Sequence, residues 1–358
     1  GQAVLKQIGG ASNVDEVVIG NFMSARFNKQ AHLGAFAAHI DDGLRYKPSI
    51  SVEGACGSGG LALATGIRSI LAETADVVLA MGVEVQNTVK AIYGADILAG
   101  AGWFKDRKKG HAYFFPGEFS DRAGSYFETY GRDYAREGMA TWFKNAIENA
   151  RLCETAQEHE NNASDLIQLG LSEPNGKVFT DHLNVFDCSK VSDGWSAIAI
   201  VSEEGLKRIG ISKADAVEIA SFAQVVDNLT EQPKDPVELS CTKVAAKQAI
   251  EDAGITIAGV LATEAIGFAE RGKGAEFVAA GHTARDGKIP FNTTGGLVGW
   301  GHPTGATGVH QAVTVWEQLT GKAGKAQINI PAEKPYGLSI NMGGNDKTVV
   351  SIVYKKTE

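Results

Sequence analysis

Two short glycine-rich segments, far apart in the chain, each lead directly into an apolar segment with helical periodicity. The first occupies residues 52–60 (Val-Glu-Gly-Ala-Cys-Gly-Ser-Gly-Gly) and is followed by residues 61–70. The second occupies residues 299–308 (Gly-Trp-Gly-His-Pro-Thr-Gly-Ala-Thr-Gly) and is followed by residues 309–316. Small residues let two backbones approach closely, and a repeat of this kind indicates a duplicated unit. The sequence therefore predicts two similar βα units that face each other.

Seven short segments rich in Val and Ile have the pattern of β-strands, and longer amphipathic segments separate them. They are residues 17–19, 50–52, 76–82, 197–202, 217–220, 338–341 and 348–354. Strands that alternate with helices predict a layered α/β fold. Between residues 98 and 184 the pattern changes to polar, aromatic and helical segments, such as 120–130 and 138–153, which indicates an inserted subdomain.

The overall charge excludes several classes of protein. The chain has 34 Lys and Arg against 42 Asp and Glu, a net charge of −8. Because this field does not attract nucleic acid or anionic membranes, neither is expected as a partner. No apolar stretch reaches the roughly 18 residues of a membrane helix. The four cysteines lack the paired spacing of a zinc site, and the N-terminus lacks a signal pattern, so we predict no metal and a reducing, cytoplasmic location.

Cys56 is the cysteine with the most reactive sequence context. It lies where the first glycine-rich turn meets its helix, and unpaired N–H groups at a helix start are expected to lower the pKa of a thiol and to stabilise an oxyanion. The alternative is a small packing residue. We assign that alternative to Cys153, inside a helical stretch, and to Cys241, before one, whereas Cys188 in a turn-rich segment is intermediate.

His302 is the best candidate for a general base among the eight histidines. It lies between Gly301 and Pro303 in the second turn, and an imidazole there is able to take a proton from a thiol at neutral pH. His310 follows on the helix, and His182 and His282 lie in predicted loops; for these three, an ordinary surface or core position is the expectation.

The motifs around these two residues resemble those of the thiolases, and most closely the sterol-carrier-protein-type thiolases and acetyl-CoA acetyltransferases. Residues 292–308 resemble the family's Asn-x-x-Gly-Gly segment followed by its Gly-His-Pro-x-Gly-Ala-x-Gly signature, and residues 55–59 resemble its nucleophile turn. Residues 113–119, 187–194 and 341–344 are also similar to segments of this branch. At the last of these, the second catalytic cysteine of ordinary thiolases is absent.

The resemblance implies an α/β thiolase-like fold. Two fused five-stranded halves, each βαβαβαββ, would form five layers in the order α-β-α-β-α, with a loop domain inserted in the first half. The implied boundaries are residues 1–97 and 185–205 for the N-terminal half, 98–184 for the loop domain and 206–358 for the C-terminal half. Such proteins usually assemble as dimers or tetramers, and relatives in this branch often pair with a small zinc-ribbon and oligonucleotide-fold (OB-fold) protein.

The resemblance also implies roles for particular residues. Cys56 would be the acylated nucleophile, His302 its base, and Gly343 a backbone donor in the oxyanion hole. Coenzyme A would be a substrate, and no separate cofactor is expected. Lys105, Arg107 and Lys108 would hold its phosphates, since lysine and arginine suit phosphate; a solvated charged loop is the alternative reading of this cluster.

The sequence departs from the branch at two places. Residues 253–258 pass directly to residues 259–264, without the His-Asp-Cys-Phe element whose histidine and cysteine serve the substrate oxygen and the second acid/base step. The chain also begins within what resembles the family's first helix, so its opening strand is missing. Because exposed sheet edges are rarely tolerated, we expect that the natural polypeptide contains further segments.

Three functions remain open at this stage. The first is an acyl-CoA C-acyltransferase of lipid metabolism that cleaves 3-ketoacyl-CoA with coenzyme A, or condenses in reverse, through a Cys56 thioester. The second is a decarboxylating ketoacyl synthase, which would need two histidines where only His302 has a suitable context. The third is a thiolase-like subunit that binds acyl-CoA and lacks or shares the acid/base machinery.

Overall fold

The first sheet contains four strands and lies in the N-terminal half. The computed structural model describes residues 1–255, 264, 267–333 and 335–357. The strands are β1 (Glu16–Gly20), β2 (Ser49–Val52), β3 (Val77–Glu84) and β4 (Gly194–Val201), in the spatial order β2-β1-β3-β4. β1 pairs in parallel with β2 and β3, and β4 is antiparallel to β3. β1 and β3 are nearly continuous apolar runs because both of their faces are covered.

The second sheet is formed by three antiparallel strands of the C-terminal half. These are β5 (Val217–Val226), β6 (Tyr336–Gly343) and β7 (Thr348–Lys356), in the order β5-β7-β6. All seven strands predicted from the sequence are confirmed. Five strands per half were expected, and the described residues form four and three. The expected gap at the His-Asp-Cys-Phe element falls mainly on residues 256–263, which lie outside the described residues.

Helices surround and separate the two sheets. The α-helices of the described residues are α1 (Gln2–Gln7), α2 (Ser24–Phe27), α3 (Ala37–Ile40), α4 (Ser58–Leu71), α5 (Ala91–Leu98), α6 (Phe114–Tyr130), α7 (Arg132–Ala150), α8 (Leu166–Gly170), α9 (Glu203–Ile209), α10 (Ser240–Asp252), α11 (Gly274–Ala279), α12 (Gly296–Gly299) and α13 (Thr307–Thr320). In the described part of the chain, none of them combines the length and the apolar character needed to cross a bilayer.

The main hydrophobic core shows how the layers stack. It joins residues of β1 and β3, the helices α4 and α13, and β7, so the two helices lie between the sheets. A second core packs α1 against the outer face of the first sheet, and a third packs α10 against the outer face of the second. The five-layered arrangement expected for a thiolase-like fold is therefore confirmed.

The predicted change of pattern after residue 98 corresponds to a helical region that contains α6, α7 and α8. The helices expected over residues 120–130 and 138–153 are present, but α7 ends at Ala150. Cys153 consequently lies in the turn beyond the helix, not inside it. Cys241 was expected to precede a helix and instead lies in the first turn of α10. The domain boundaries themselves stay a prediction.

Candidate active site

The turn that carries Cys56 is held in an unusual backbone conformation. It connects β2 to α4, and Ala55 has a positive φ of 56° although it has a side chain. The Ser58 hydroxyl stabilises the turn, because it donates to Ala55 O (2.6 Å) and accepts from Gly54 N (3.0 Å). Backbone strain of this kind concentrates at functional sites. The result is that Cys56 is held at the start of α4 with part of its surface exposed.

The turn that carries His302 fixes both the ring and its tautomer. Gly301 has a φ of 112°, and α13 begins five residues after the histidine, at Thr307. The His302 Nδ1 lies 2.8 Å from the Thr307 Oγ1, and that hydroxyl donates its own proton to Pro303 O (3.1 Å). Because the hydroxyl has one proton, we assign the Nδ1–H as donor and leave the lone pair on Nε2.

The two turns are in direct backbone contact, as the sequence repeat predicts. A Cβ added to Gly308, in the first turn of α13, would lie 2.2 Å from Gly60 N, and one added to Gly59 would lie 2.7 Å from Gly308 N. Asn341, near the end of β6, also bridges the halves, since its Oδ1 accepts from Gly60 N (2.8 Å) and its Nδ2 donates to Cys56 O (2.9 Å). The sequence expectation that the Cys56 and His302 turns face each other is therefore met.

The corner between β6 and β7 closes the site beside the thiol. A Cβ on Gly343 would lie 2.2 Å from Gly54 O, so this backbone packs tightly on the cysteine turn. The backbone N–H groups of the next residue, Gly344, and of Cys56 itself both act to lower the pKa of the Cys56 thiol. Sequence reasoning named Gly343 and missed Gly344, whose φ of 67° requires glycine-like freedom.

Burial, not the helix terminus, dominates the titration of the thiol. It raises the pKa of Cys56 to about 12, with the charges of Glu84 and Glu53 acting in the same direction and the two N–H groups opposing them. The predicted lowering of the Cys56 pKa is therefore wrong, because loss of water around the thiolate raises the pKa by more than the N–H groups beside it lower it. Burial also lowers the pKa of His302 to about 4. At neutral pH the pair is thus a neutral thiol and a neutral imidazole that is free to accept a proton.

The basic cluster lies in a short 3-10 helix, Phe104–Lys109, and the charges of Lys105 and Arg107 already have partners. The Lys105 ammonium lies 4.9 Å from the centre of the Trp103 ring, and Arg107 Nη1 lies 3.0 Å from Asp96 Oδ1. Lys108 belongs to the same helix. No described hydrogen bond or ion pair connects this cluster to Cys56 or His302, so its role in phosphate binding stays a prediction.

The remaining cysteines and His310 have structural surroundings. Cys241 is buried, and its backbone N–H donates to the Asp346 carboxylate (2.8 Å). Burial raises the pKa of the Cys188 thiol to about 12. The His310 ring stacks on Trp300 with centroids 3.5 Å apart and an angle of 8° between the planes. These contacts agree with the packing positions expected for Cys241 and His310.

Among the described residues, one group has the composition of a metal site. The ligand atoms of His111, Glu118 and Asp121 all lie within 4.8 Å of one another. However, the Lys109 ammonium is 2.8 Å from Glu118 Oε1, and Asn345 Nδ2 lies 3.3 Å from the other oxygen of that carboxylate. A cation bound there would face an ammonium group, so we assign no metal to it.

A cavity of about 1120 Å³ lies next to this region without opening on it. It is bounded by α13, β6 and the loop over residues 285–293. Its wall includes Thr307, whose hydroxyl holds the His302 ring, but not Cys56, His302 or Gly343. The cavity therefore adjoins the histidine turn through Gly301 and Thr307.

The fold and the paired turns define the thiolase-like class of α/β enzymes, and the comparisons with known proteins agree. The family model "Thiolase, N-terminal domain" matches residues 1–128, and "Thiolase C-terminal domain-like" matches residues 223–356. An acetyl-CoA acetyltransferase of Methanothermobacter thermautotrophicus is 31% identical over 96% of this chain and 89% of its own length. The chain belongs to the thiolase family, and its enzyme class is that of the acyltransferases.

More distant relatives and solved structures extend the likeness. Benzoylsuccinyl-CoA thiolase subunit BbsB of Thauera aromatica is 25% identical over 78% of this chain and 73% of its own length. The Ltp2-ChsH2(DUF35) aldolase structure has a TM-score of 0.70 at 16% identity and covers 97% of this chain and 88% of its own. Human mitochondrial 3-ketoacyl-CoA thiolase has a TM-score of 0.67 at 16% identity, with coverages of 100% and 91%. At these identities the two structures show a shared fold alone.

Proposed function

We propose that the chain is an acyl-CoA C-acyltransferase that cleaves 3-ketoacyl-CoA with coenzyme A, or condenses two acyl-CoA molecules in reverse, through an acyl thioester on Cys56. The observation that carries the proposal is the direct backbone contact between the cysteine turn, at Gly59 and Gly60, and the histidine turn, at Gly308. Asn341 of the C-terminal half adds two hydrogen bonds to the cysteine turn. The acetyltransferase relative at 31% identity supports the same reaction class.

The acylation step follows from the charge states of the two side chains. His302 Nε2 takes the Cys56 proton while the sulfur attacks the substrate carbonyl carbon, and the carbonyl oxygen becomes an oxyanion. Backbone N–H groups of Cys56 and of the Gly343–Gly344 corner would receive that oxyanion. Each such donor contributes about 3 kcal/mol in other acyl-transfer enzymes. When the carbon–carbon bond breaks, the acyl group stays on sulfur and the acetyl-CoA enolate that leaves takes the proton from the imidazolium. In the second half-reaction His302 Nε2 takes the thiol proton of coenzyme A as that sulfur attacks the thioester, and returns it to Cys56 as the Cys56 sulfur leaves.

The substrate handle is expected on the side of the inserted region. Lys105, Arg107 and Lys108 would bind the phosphates of coenzyme A, as proposed from the sequence. From that region Ala101 reaches the corner beside the thiol, since a Cβ on Gly344 would lie 3.0 Å from Ala101 O. This contact supports the placement of the acyl-CoA entrance between the corner at Gly344 and the basic helix.

A labelling experiment tests the nucleophile. The protein is mixed with acetyl-CoA labelled in the acetyl group, quenched in acid and analysed for covalent label. Cys56→Ala is expected to carry no label, because no other thiol lies in the paired turns. Cys188→Ala is the matched control, since burial raises its thiol pKa to the same value, about 12. Label that persists in Cys56→Ala and disappears in Cys188→Ala would contradict the assignment.

We further propose assembly with other subunits. The BbsB relative is named as a subunit, and the Ltp2 structure was solved together with a DUF35 protein. These names support a small zinc-ribbon and OB-fold partner for this chain, together with a dimer or tetramer of the chain itself, in the cytoplasm. Light scattering and turnover of the purified chain with and without a co-expressed partner test this; full activity of the isolated chain would remove the need for a partner.

A further inference from the structure

Glu84, the last residue of β3, and Gln86, two residues beyond it, both contact the histidine turn of the other half. Glu84 and Gln86 are two residues apart, so they point to the same side of an extended backbone, and they are only 0% and 2% exposed. Their contacts lie on the two sides of Pro303, at the residues before and after it. Neither residue carries a role in the reaction proposed above.

Glu84 is surrounded by hydrogen-bond donors from both halves. From its own half, its carboxylate accepts from Asn21 Nδ2 (3.0 Å), Phe22 N (2.8 Å) and Met23 N (3.1 Å). From the opposite half it accepts from Thr304 Oγ1 (2.9 Å) and Gly305 N (3.1 Å). A carboxylate offers about four lone-pair sites, so five donors leave it no free valence for substrate or solvent. Its contacts therefore stabilise the backbone of the histidine turn at Thr304 and Gly305.

Gln86 and its neighbours hold the other side of that turn. Gln86 Nε2 donates to His302 O (2.9 Å) and to Ser192 O (2.8 Å). The Ser192 Oγ accepts from His302 N (2.8 Å), and the Gln86 N–H donates to Asp193 Oδ1 (2.6 Å). Both backbone groups of His302 are consequently bonded to residues of the N-terminal half, while Thr307 fixes the ring itself.

We propose that Glu84 and Gln86 are positioning residues that clamp the His302–Gly305 turn against the N-terminal half and keep Nε2 directed at the Cys56 thiol. This inference rests on the proposed role of His302 as base. Because Thr307 holds Nδ1, the ring has little freedom to correct a displaced backbone. A misplacement of about 1 Å can reduce an enzymatic rate by about 100-fold.

The charge of Glu84 provides a second, independent readout. The charged groups that raise the Cys56 pKa are Glu84 and Glu53, and the N–H groups of Cys56 and Gly344 act against them. Removing the charge of Glu84 is therefore expected to lower the pKa of the thiol even while it impairs acylation. The thiol pKa reports the charge of Glu84, whereas the acylation rate and the His302 resonance report the position of the turn.

The experiment compares Glu84→Gln and Gln86→Met with His302→Ala. Gln86→Met keeps the side-chain length but removes both hydrogen bonds, whereas Glu84→Gln places an amide N–H₂ among five donors. We measure the single-turnover acylation rate with acetyl-CoA, the pH dependence of Cys56 alkylation by iodoacetamide, and the ¹³Cε1 resonance of His302. The resonance is assigned by its absence from the spectrum of His302→Ala, which requires no turnover. Asp187→Asn is the control for stability alone, because this buried carboxylate pairs with Arg136 and contacts neither turn.

We expect acylation to fall about 10-fold in Gln86→Met and about 100-fold in Glu84→Gln, with a shifted or broadened His302 resonance in both. The onset of alkylation should move to lower pH in Glu84→Gln only. Asp187→Asn should unfold at lower temperature with an unchanged rate per folded molecule. Normal acylation and an unmoved His302 resonance in Gln86→Met, which should fold in any case, would overturn the inference while His302→Ala remains impaired. Normal acylation in His302→Ala would instead overturn the proposed base.

Discussion

The cysteine turn and the histidine turn have the same plan but are held in different ways. Each leads into a 14-residue helix, Ser58–Leu71 or Thr307–Thr320, and each contacts the other half. The cysteine turn is bridged by one neutral side chain, Asn341, with two hydrogen bonds. The histidine turn is bridged by a charged carboxylate, an amide and a hydroxyl, from Glu84, Gln86 and Ser192.

The two turns differ because the cysteine turn supplies backbone N–H groups to the reaction and the histidine turn supplies a side chain. The cysteine turn must leave backbone N–H groups available for an oxyanion, and among the described residues the N–H of Cys56 donates to no other backbone group. The histidine turn presents a side chain, so its backbone groups are free to be bonded from outside. We conclude that the base is held by many contacts while the nucleophile depends on a few.

The largest effect is expected where the two turns touch. Gly308→Ala places a methyl group 2.2 Å from Gly60 N, and rigid backbone cannot yield as a side chain would. Overpacking of this kind costs about 3 kcal/mol, and both turns should lose their geometry together. Denaturant unfolding and acylation are the measurements.

A matched control for this substitution is Gly94→Ala, in the interior of α5. A Cβ there meets nothing closer than 3.8 Å, so the protein should gain up to about 1 kcal/mol from the better helix former. Equal effects of the two substitutions would show that the glycine contact is not special.

The next largest effect is expected at Asn341, the one side chain described above that joins the cysteine turn to the C-terminal half. Asn341→Asp keeps the acceptor for Gly60 N but sets a carboxylate oxygen against the Cys56 carbonyl. An unsatisfied or repelled buried group costs about 1–3 kcal/mol. We expect a loss of about 2 kcal/mol in the free energy of unfolding and impaired acylation, measured by urea titration and by the labelling assay.

The control for Asn341→Asp is Asn345→Asp, whose side chain faces Glu118 and Arg122 rather than the cysteine turn. If Asn341→Asp acylates normally, the single bridge is not needed to hold Cys56, and the comparison between the turns fails.

Acid should weaken the C-terminal turn and its helix selectively. Burial lowers the pKa of His302 to about 4 and of His310 to about 3, from an ordinary 6.5. The unfolded chain therefore binds more protons than the folded one as the pH falls below 6.5, so the free energy of unfolding becomes smaller as the pH is lowered through that range. By this linkage each histidine lowers the free energy of unfolding by about 2 kcal/mol at pH 5.

The measurement is the slope of the unfolding free energy between pH 6.5 and 4.5. His310→Gln should reduce the slope by about half. His39→Gln, on α3 of the N-terminal half, should leave it unchanged, and an equal change in both variants would contradict the assignment to the C-terminal turn.

The smallest effect concerns the basic helix. Lys105→Ala, Arg107→Ala and Lys108→Ala should each raise the KM for coenzyme A about two- to fivefold, since partly exposed charge pairs contribute roughly 0.2–1 kcal/mol. Steady-state assays with coenzyme A and with its 3′-dephosphorylated form measure this. Lys356→Ala, at the end of β7 in the C-terminal half, is the control and should change nothing.

The sequence was informative where function depends on local pattern. The glycine repeat predicted the facing turns, and the family motifs predicted the layered fold. Asn341, Glu84 and Gln86 could not be recognised as bridging residues, because their partners in the opposite half lie more than 200 positions away along the chain and no local spacing encodes such pairs. Asn341 was included in a family segment, yet its contacts were not foreseen.

Some expectations failed for physical reasons that a sequence does not carry, among them the position of Cys241, which lies in the first turn of α10 and not before it. The helix start at Cys56 was expected to lower the thiol pKa, but desolvation depends on every atom packed around the sulfur. The position of Cys153 was wrong by one turn, since α7 ends at Ala150. Helix ends are set by local capping and by packing against neighbouring elements, and these were not visible in the apolar pattern.

The backbone contact between Gly59, Gly60 and Gly308 also limits how the molecule can move. Backbone packs directly on backbone between the two halves at this point, so any hinge rotation that separated them would break the glycine contact and the Asn341 and Glu84 bonds at once. We expect the halves to move as one rigid body during turnover. We expect access for a bulky thioester to be set instead at Ala101, which contacts the Gly344 corner from the side of the inserted region.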